Sequence, residues 1–116
     1  MTKSYIQIKA DIVENALVDK PDSRIFREAW QLEGDVISVD MIKAREIQRN
    51  RLRKARVSAL EILDAEFMKA LEKGEATSSI AAKKQKLRDM PSDKRLMDAE
   101  TPEELELLTL DYLMNN

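Results

Sequence analysis

Cysteine and histidine do not occur in these 116 residues. Their absence removes thiol nucleophiles, disulfides, zinc ligation of the Cys/His kind and the one side chain that titrates near neutrality. Glycine occurs only at Gly34 and Gly74, so no glycine-rich loop can cradle a phosphate. Aromatic residues are few: Tyr5, Phe26, Trp30, Phe67 and Tyr112. A core must therefore come from Leu, Ile, Ala and Met. No apolar run approaches the length that spans a bilayer. Residues 1–11 interrupt their apolar positions with Lys3, Gln7, Lys9 and Asp11, which breaks the apolar run a secretory leader needs and leads us to expect a cytoplasmic setting and no membrane partner.

Charge and aliphatic residues dominate what remains. With 43% hydrophobic and 36% charged residues the chain can fold as one domain while carrying long charged faces. The formal net charge of −2 argues against a protein that coats nucleic acid. That average hides a polarity. From Arg45 to Arg56 six basic residues face the single acid Glu46, whereas Glu100 to Asn116 holds five acids and no base.

Periodicity divides the chain into three parts. In 1–39, Ile6, Ile8, Ala10 and Ile12 alternate with polar residues and predict one strand, with a turn at Pro21-Asp22. Ala29–Leu32 and Val36–Val39 flank Glu33-Gly34-Asp35, a hairpin signal, and Trp30 would anchor this sheet on a helix. In 40–91 the period changes to that of a helix. Asp40 can cap its start, Gly74 its end, and no proline or glycine intervenes. The stripe Ala44, Ile47, Leu52, Ala55, Ala59, Leu63, Phe67 and Leu71 widens at Leu60, Ile62 and Met68. The second half should thus be buried and the arginine-rich first half wetter. A second helix from Thr77 or Ser78 to Met90, ended by Pro91, completes an antiparallel helical hairpin. In 92–116, Thr101-Pro102-Glu103-Glu104 starts an acidic C-terminal helix with Leu105, Leu108 and Tyr112 on one face, extended by Leu107, Leu110 and Leu113. The expected fold class is α+β, mainly α: a long antiparallel helical hairpin with a small N-terminal β segment and a C-terminal helix.

Candidate chemistry is sparse. Glu100, Glu103, Glu104, Glu106 and Asp111 could in principle supply a carboxylate pair, but they crowd a helix N-terminus, where negative charge is favourable for structural reasons alone. No calcium-loop spacing and no nucleophile elbow is present. We therefore expect no enzyme, no catalytic or metal-binding residue and no cofactor. Arg45, Arg49, Arg53 and Arg56 are spaced four, four and three apart and share a helix face, while Arg51 and Lys54 lie elsewhere. That face is either a solvated side of a long helix or suits phosphates, an acidic partner protein, or the acidic C-terminal segment of this chain or of a neighbouring copy. No aromatic residue interleaves it to stack on bases, which disfavours nucleic acid. Leu105, Leu108 and Tyr112 either complete the core or dock in a partner's groove, and self-association would hide any protruding stripe.

Lys43-Ala44-Arg45-Glu46-Ile47, Arg56 with Leu63-Asp64 and Phe67, and the run from Ala81 to Pro91 resemble small bacteriophage proteins encoded among tail and tail-fibre genes. The sequence is similar in particular to the helical part of phage tail assembly chaperones, through Leu87, Arg88, Asp89 and Pro91 in a Leu-Arg-Asp-x-Pro pattern. It departs from them where Ala65, Glu66 and Phe67 follow Asp64 without the common tryptophan, and where Gln85 and Lys86 replace an aromatic. The resemblance implies a non-enzymatic protein that binds a phage tail or tail-fibre polypeptide in the host bacterial cytoplasm during virion assembly. Two alternatives stand beside it: a structural component retained in the virion, and a nucleic-acid-binding accessory protein acting through the arginine face.

Overall fold

The structure is a computed structural model that describes residues 5–9, 11–14, 18–21 and 24–116. Two antiparallel strand pairs come first: β1 (Tyr5–Ile8) with β2 (Asp11–Glu14), and β3 (Trp30–Glu33) with β4 (Val36–Val39). Five helices follow: α1 (Met41–Lys73), α2 (Ser78–Asp89), α3 (Lys94–Asp98), α4 (Pro102–Glu106) and α5 (Leu110–Asn115). The mainly helical α+β class expected from the sequence is the one observed. The molecule is a rod measuring 69 × 28 × 21 Å.

Local signals placed the helix ends. Asp40 lies in extended backbone and its carboxylate accepts from the amides of Ile42 and Lys43, satisfying two of the free donors of the first turn. Gly74 stops α1 in the left-handed region at φ 71°, where a Cβ would be strained, and its amide reaches back to Ala70 and Leu71. Gly34 does the equivalent work between β3 and β4 at φ 61°. α2 runs antiparallel to α1, as shown by contacts from Asp64 to Lys84 and from Arg56 to Arg88.

The first strand departs from expectation. In place of one strand through Ile12, the chain reverses between Ile8 and Asp11, with Lys9 at φ 54°. This reversal changes the parity of the pattern. Ile6 pairs with Val13 and Gln7 with Ile12, so Val13 joins the apolar side while Ile12 is exposed. Ala10 of that predicted stripe and Asp22 of the predicted turn lie outside the described residues. Trp30 is buried with Ile6, Ile8 and Ile37 between the two strand pairs, with Arg27 stacked 4.4 Å above its ring. Phe26 and Ala29, not Trp30, belong to the helical core, and the Ala29 carbonyl accepts from the Asp40 amide.

Burial along α1 does not favour the second half as expected: Leu63 and Ala70 are buried there, but the first half is at least as well covered. Ala44, Gln48 and Leu52 in its first half are buried. In its second half Val57, Ile62, Met68 and Leu71 are more than half exposed, and Ala55 of the expected stripe is exposed in the first half. The reason is tertiary: the C-terminal segment folds back along the first half through Arg45, Gln48 and Arg51, whereas among the described residues α2 is the element that packs on the second, as at Asp64. The expected single C-terminal helix is also divided. α4 ends at Glu106, and Thr109 caps a new start by accepting from the Tyr112 amide. That division turns Leu105, Leu108 and Leu113 inward and leaves Leu107 and Tyr112 outside.

Truncating Leu52 to alanine should therefore lower unfolding stability by about 2–5 kcal/mol in urea titrations, while Leu71→Ala should cost under about 1 kcal/mol. Equal losses at the two positions would contradict this distribution of the core.

Candidate protein-binding surface

The arginines of α1 are occupied within the chain, Arg45 and Arg56 by backbone carbonyls and Arg49, Arg51 and Arg53 by side chains. Arg45 donates to the Ala99 carbonyl at the end of α3 at 3.0 Å, and Arg56 donates to the Arg88 carbonyl near the end of α2 at 2.9 Å. Arg49 reaches Glu46 and the Met97 sulfur, Arg53 reaches Glu46 and Asn50, and Arg51 reaches Glu106 at 3.1 Å while covering the Phe26 ring. The last four carbonyls of a helix have no partner inside it and carry its partial negative charge, so a guanidinium there supplies both a hydrogen bond and charge. Of Arg45, Arg49, Arg53 and Arg56, the first and last meet the chain's own helix ends, while Arg49 and Arg53 bond to side chains of α1 and to Met97.

Gln48 was not singled out in the sequence, although it sits four residues from both Ala44 and Leu52 on the buried line. It is 4% exposed, and its amide donates to the Leu108 carbonyl at 2.9 Å, just where α4 has ended. Its oxygen accepts from Arg51. A buried amide is tolerable only when paired, and here it closes the gap between two short helices.

Asp93 and Arg95, likewise unanticipated, clamp the C-terminal lobe. Asp93 caps α3 by accepting from the Arg95 amide, and its carboxylate takes both the Nε and a terminal nitrogen of Arg95 at 3.0 and 2.8 Å. The same guanidinium donates to the carbonyls of Leu113 and Asn116. Its hydrogen bond to Asp93 holds that carboxyl below the ordinary value, with Arg95 held above its own by the same contact. The signal was present as Asp93 directly before a short amphipathic run.

Between α3, α4 and α5 lies an open groove of about 300 Å³. Ala99, Leu107, Leu108 and Tyr112 give it apolar walls, with Arg95, Asp98 and Glu104 also lining it. Leu107 is 67% and Tyr112 44% exposed, and Met97 nearby is also exposed. Since Arg95 is engaged by Asp93, the acids Asp98 and Glu104 set the charge around the groove. Of the C-terminal trio nominated from sequence, Leu105 and Leu108 are buried in the chain's own core and Tyr112 offers its ring to solvent. The acids do not converge: Glu106 pairs with Arg51, Glu104 accepts from the Glu100 amide, and among the described residues no acidic group is arranged to hold a metal ion.

In the Leu-Arg-Asp-x-Pro motif, Leu87 is buried, the Arg88 carbonyl accepts from Arg56, and Asp89 accepts from Gln85 one turn earlier. Pro91 lies in a 3-10 turn at Met90–Ser92 that leads towards α3. Compared with protein-family models, curated proteins and solved structures, the chain matches none. Among the described residues no helix is long and apolar enough to cross a membrane.

Two outcomes are expected. Gln48→Ala leaves the Leu108 carbonyl unpaired and should cost about 1–3 kcal/mol in denaturant unfolding, against less than about 1 kcal/mol for Arg53→Ala, whose ion pair is exposed. Because the Asp93 carboxyl is depressed in the folded chain, its contribution is complete above the ordinary carboxylate pKa of about 3.9 and is lost as pH falls through the lower folded value. Asp93→Asn, which keeps a capping side chain, should lower stability at neutral pH and flatten the fall in melting temperature below about pH 4. An unchanged acid profile would show that the clamp contributes nothing.

Proposed function

We propose that this chain is a non-enzymatic assembly factor that holds a bacteriophage tail or tail-fibre polypeptide, taking an apolar segment of it into the groove between α3, α4 and α5. The observation that carries the reading is the groove itself: Leu107 and Tyr112 stand exposed on short helices whose ends are pinned by Arg45, Gln48 and Arg95. A held surface loses little conformational entropy on binding. Asp98 and Glu104 at the groove favour a segment that carries a basic residue beside its apolar one. The tail-protein identity of that segment is supported by the Leu87-Arg88-Asp89-x-Pro91 resemblance.

The arginine face lends less support to nucleic acid. Phosphate binding would have to displace the contacts of Arg45 and Arg56 with carbonyls and of Arg51 with Glu106. Steep salt dependence of binding to random duplex DNA would revive that alternative.

The test combines particle composition with binding. As an assembly factor, the protein should be missing from purified virions by mass spectrometry; stoichiometric presence would favour the structural virion component instead. A tail or tail-fibre polypeptide co-expressed with the chain should co-purify with it. Leu107→Asp combined with Tyr112→Ala should weaken that complex at least tenfold, about 1.4 kcal/mol, with the melting temperature little changed because both side chains are already exposed. Undiminished binding by this double variant would rule out the groove.

A further inference from the structure

The distal half of the hairpin carries an apolar face that the groove does not explain. Val57, Leu60, Asp64, Met68 and Leu71 recur at intervals of three and four, which places them on one side of α1. Val57, Met68 and Leu71 are 56, 56 and 52% exposed, and Leu60 is half-buried. The face continues onto α2, because Lys84 both pairs with Asp64 at 2.6 Å and lies 5.0 Å above the Phe67 ring. Ala81, one turn before Lys84, is small and exposed and leaves α2 low there, and Arg88, one turn after it, brings a positive charge to the same side.

Charge is divided between the two helices. Residues 57–73 of α1 hold four acids and two bases, net −2, whereas α2 holds four bases and one acid, net +3. Little of this is settled inside the hairpin: among the described residues Lys84–Asp64 is the ion pair that joins α1 to α2, and Glu61, Glu66 and Glu72 appear in no ion pair.

From this arrangement we infer that the face binds a second copy of the chain, forming a two-fold dimer in which two hairpins stack into a four-helix bundle. A two-fold axis lying in the interface, parallel to the helices, lays each α1 across the other copy's α2. Acidic helix then meets basic helix twice, by symmetry, around a shared apolar centre. An unrelated partner would match one of these helices by coincidence; a second copy matches both by construction.

The size is sufficient, though small. About 25 Å of α1 and two helix widths of roughly 10 Å give about 500 Å² per copy and about 1,000 Å² in total, near the lower bound for a specific interface. That area fits a micromolar dimer better than an obligate one. The contact is separate from the groove, whose walls lie along the first half of α1, so the two proposals fail independently.

Sedimentation equilibrium of the full chain should show a monomer–dimer equilibrium in the micromolar range. Met68→Glu with Leu71→Glu should give a monomer with unchanged helical circular dichroism, while Leu107→Asp should leave dimerisation intact. Charge supplies the sharper test. Glu61→Lys with Glu72→Lys makes the distal α1 basic, and Lys83→Glu with Arg88→Glu makes α2 acidic. Each variant alone should self-associate at least tenfold more weakly, and a mixture of the two should form a heterodimer as tight as the wild type. A wild-type chain that stays monomeric at millimolar concentration would overturn the inference. So would a dimer indifferent to the Met68 and Leu71 substitutions, or a mixture that associates no better than its components.

Discussion

Ala44, Gln48 and Leu52 form a line down the first half of α1, and everything C-terminal to α2 is organised by docking on that line. α3, α4 and α5 are five, five and six residues long, too short to hold helical structure alone in water. Leu96, Leu105 and Leu113 bury almost completely against the line. At about 1.5–3 kcal/mol for each such side chain, this burial outweighs exposed ion pairs worth about 0–1 kcal/mol. The arginines therefore follow the leucines. Their stems cover the apolar seam and their heads reach the carbonyls that the short helices leave unpaired.

The same logic explains how the basic and acidic segments meet. Sequence reading opposed the Arg45–Arg56 run to the acids after Glu100 and allowed that one might meet the other. They do meet, yet Arg51–Glu106 is the ion pair between them. Other contacts that hold the C-terminal lobe use helix ends: Arg45 takes Ala99, Gln48 takes Leu108, Arg95 takes Leu113 and Asn116, and Lys86 takes Met114. Backbone carbonyls leave no mark in composition. A charge count could locate the two partners without identifying the groups that join them.

Legibility followed the range of the interaction. The turn at Gly34, the Asp40 and Gly74 ends of α1, the α2 span and the Thr101-Pro102 start are all decided within about five residues, and all could be read directly. What depended on distant chain could not. Residues Ile6 to Ile12 have the alternation of one strand, and only the reversal after Ile8 shows that Ile12 points away from the core. The stripe on α1 is richest in large aliphatic residues after Val57, so periodicity alone assigned burial to the half that the C-terminal lobe never reaches. Gln48 was passed over for a related reason: a polar residue in an apolar line looks like an interruption until the carbonyl it serves is known. In the groove the outward positions of Leu107 and Tyr112 were not legible, because spacing puts Tyr112 on one face with Leu105 and Leu108, and the break at 107–109 rotates the two halves of an apparently continuous helix.

The rod thus separates two kinds of work along its length. In the basal half Ala44, Leu52, Leu96, Leu105 and Leu113 are enclosed, and each arginine from Arg45 to Arg56 donates to an acceptor within the chain. That half spends its charge on its own fold. In the distal half the hairpin has a thin core of Leu63, Ala70 and Leu87, one ion pair between its helices, and flanks on which aliphatic and charged side chains alternate in the open. Substituting an exposed arm residue removes few contacts made within the monomer, so sequence change there is cheap for folding and costly only for association. The groove occupies the opposite case: its exposed Leu107 and Tyr112 stand on helices that folding itself must pin. A partner held at the basal end meets a surface already fixed by intramolecular contacts, whereas one held on the arm supplies the apolar cover that the second half of α1 lacks.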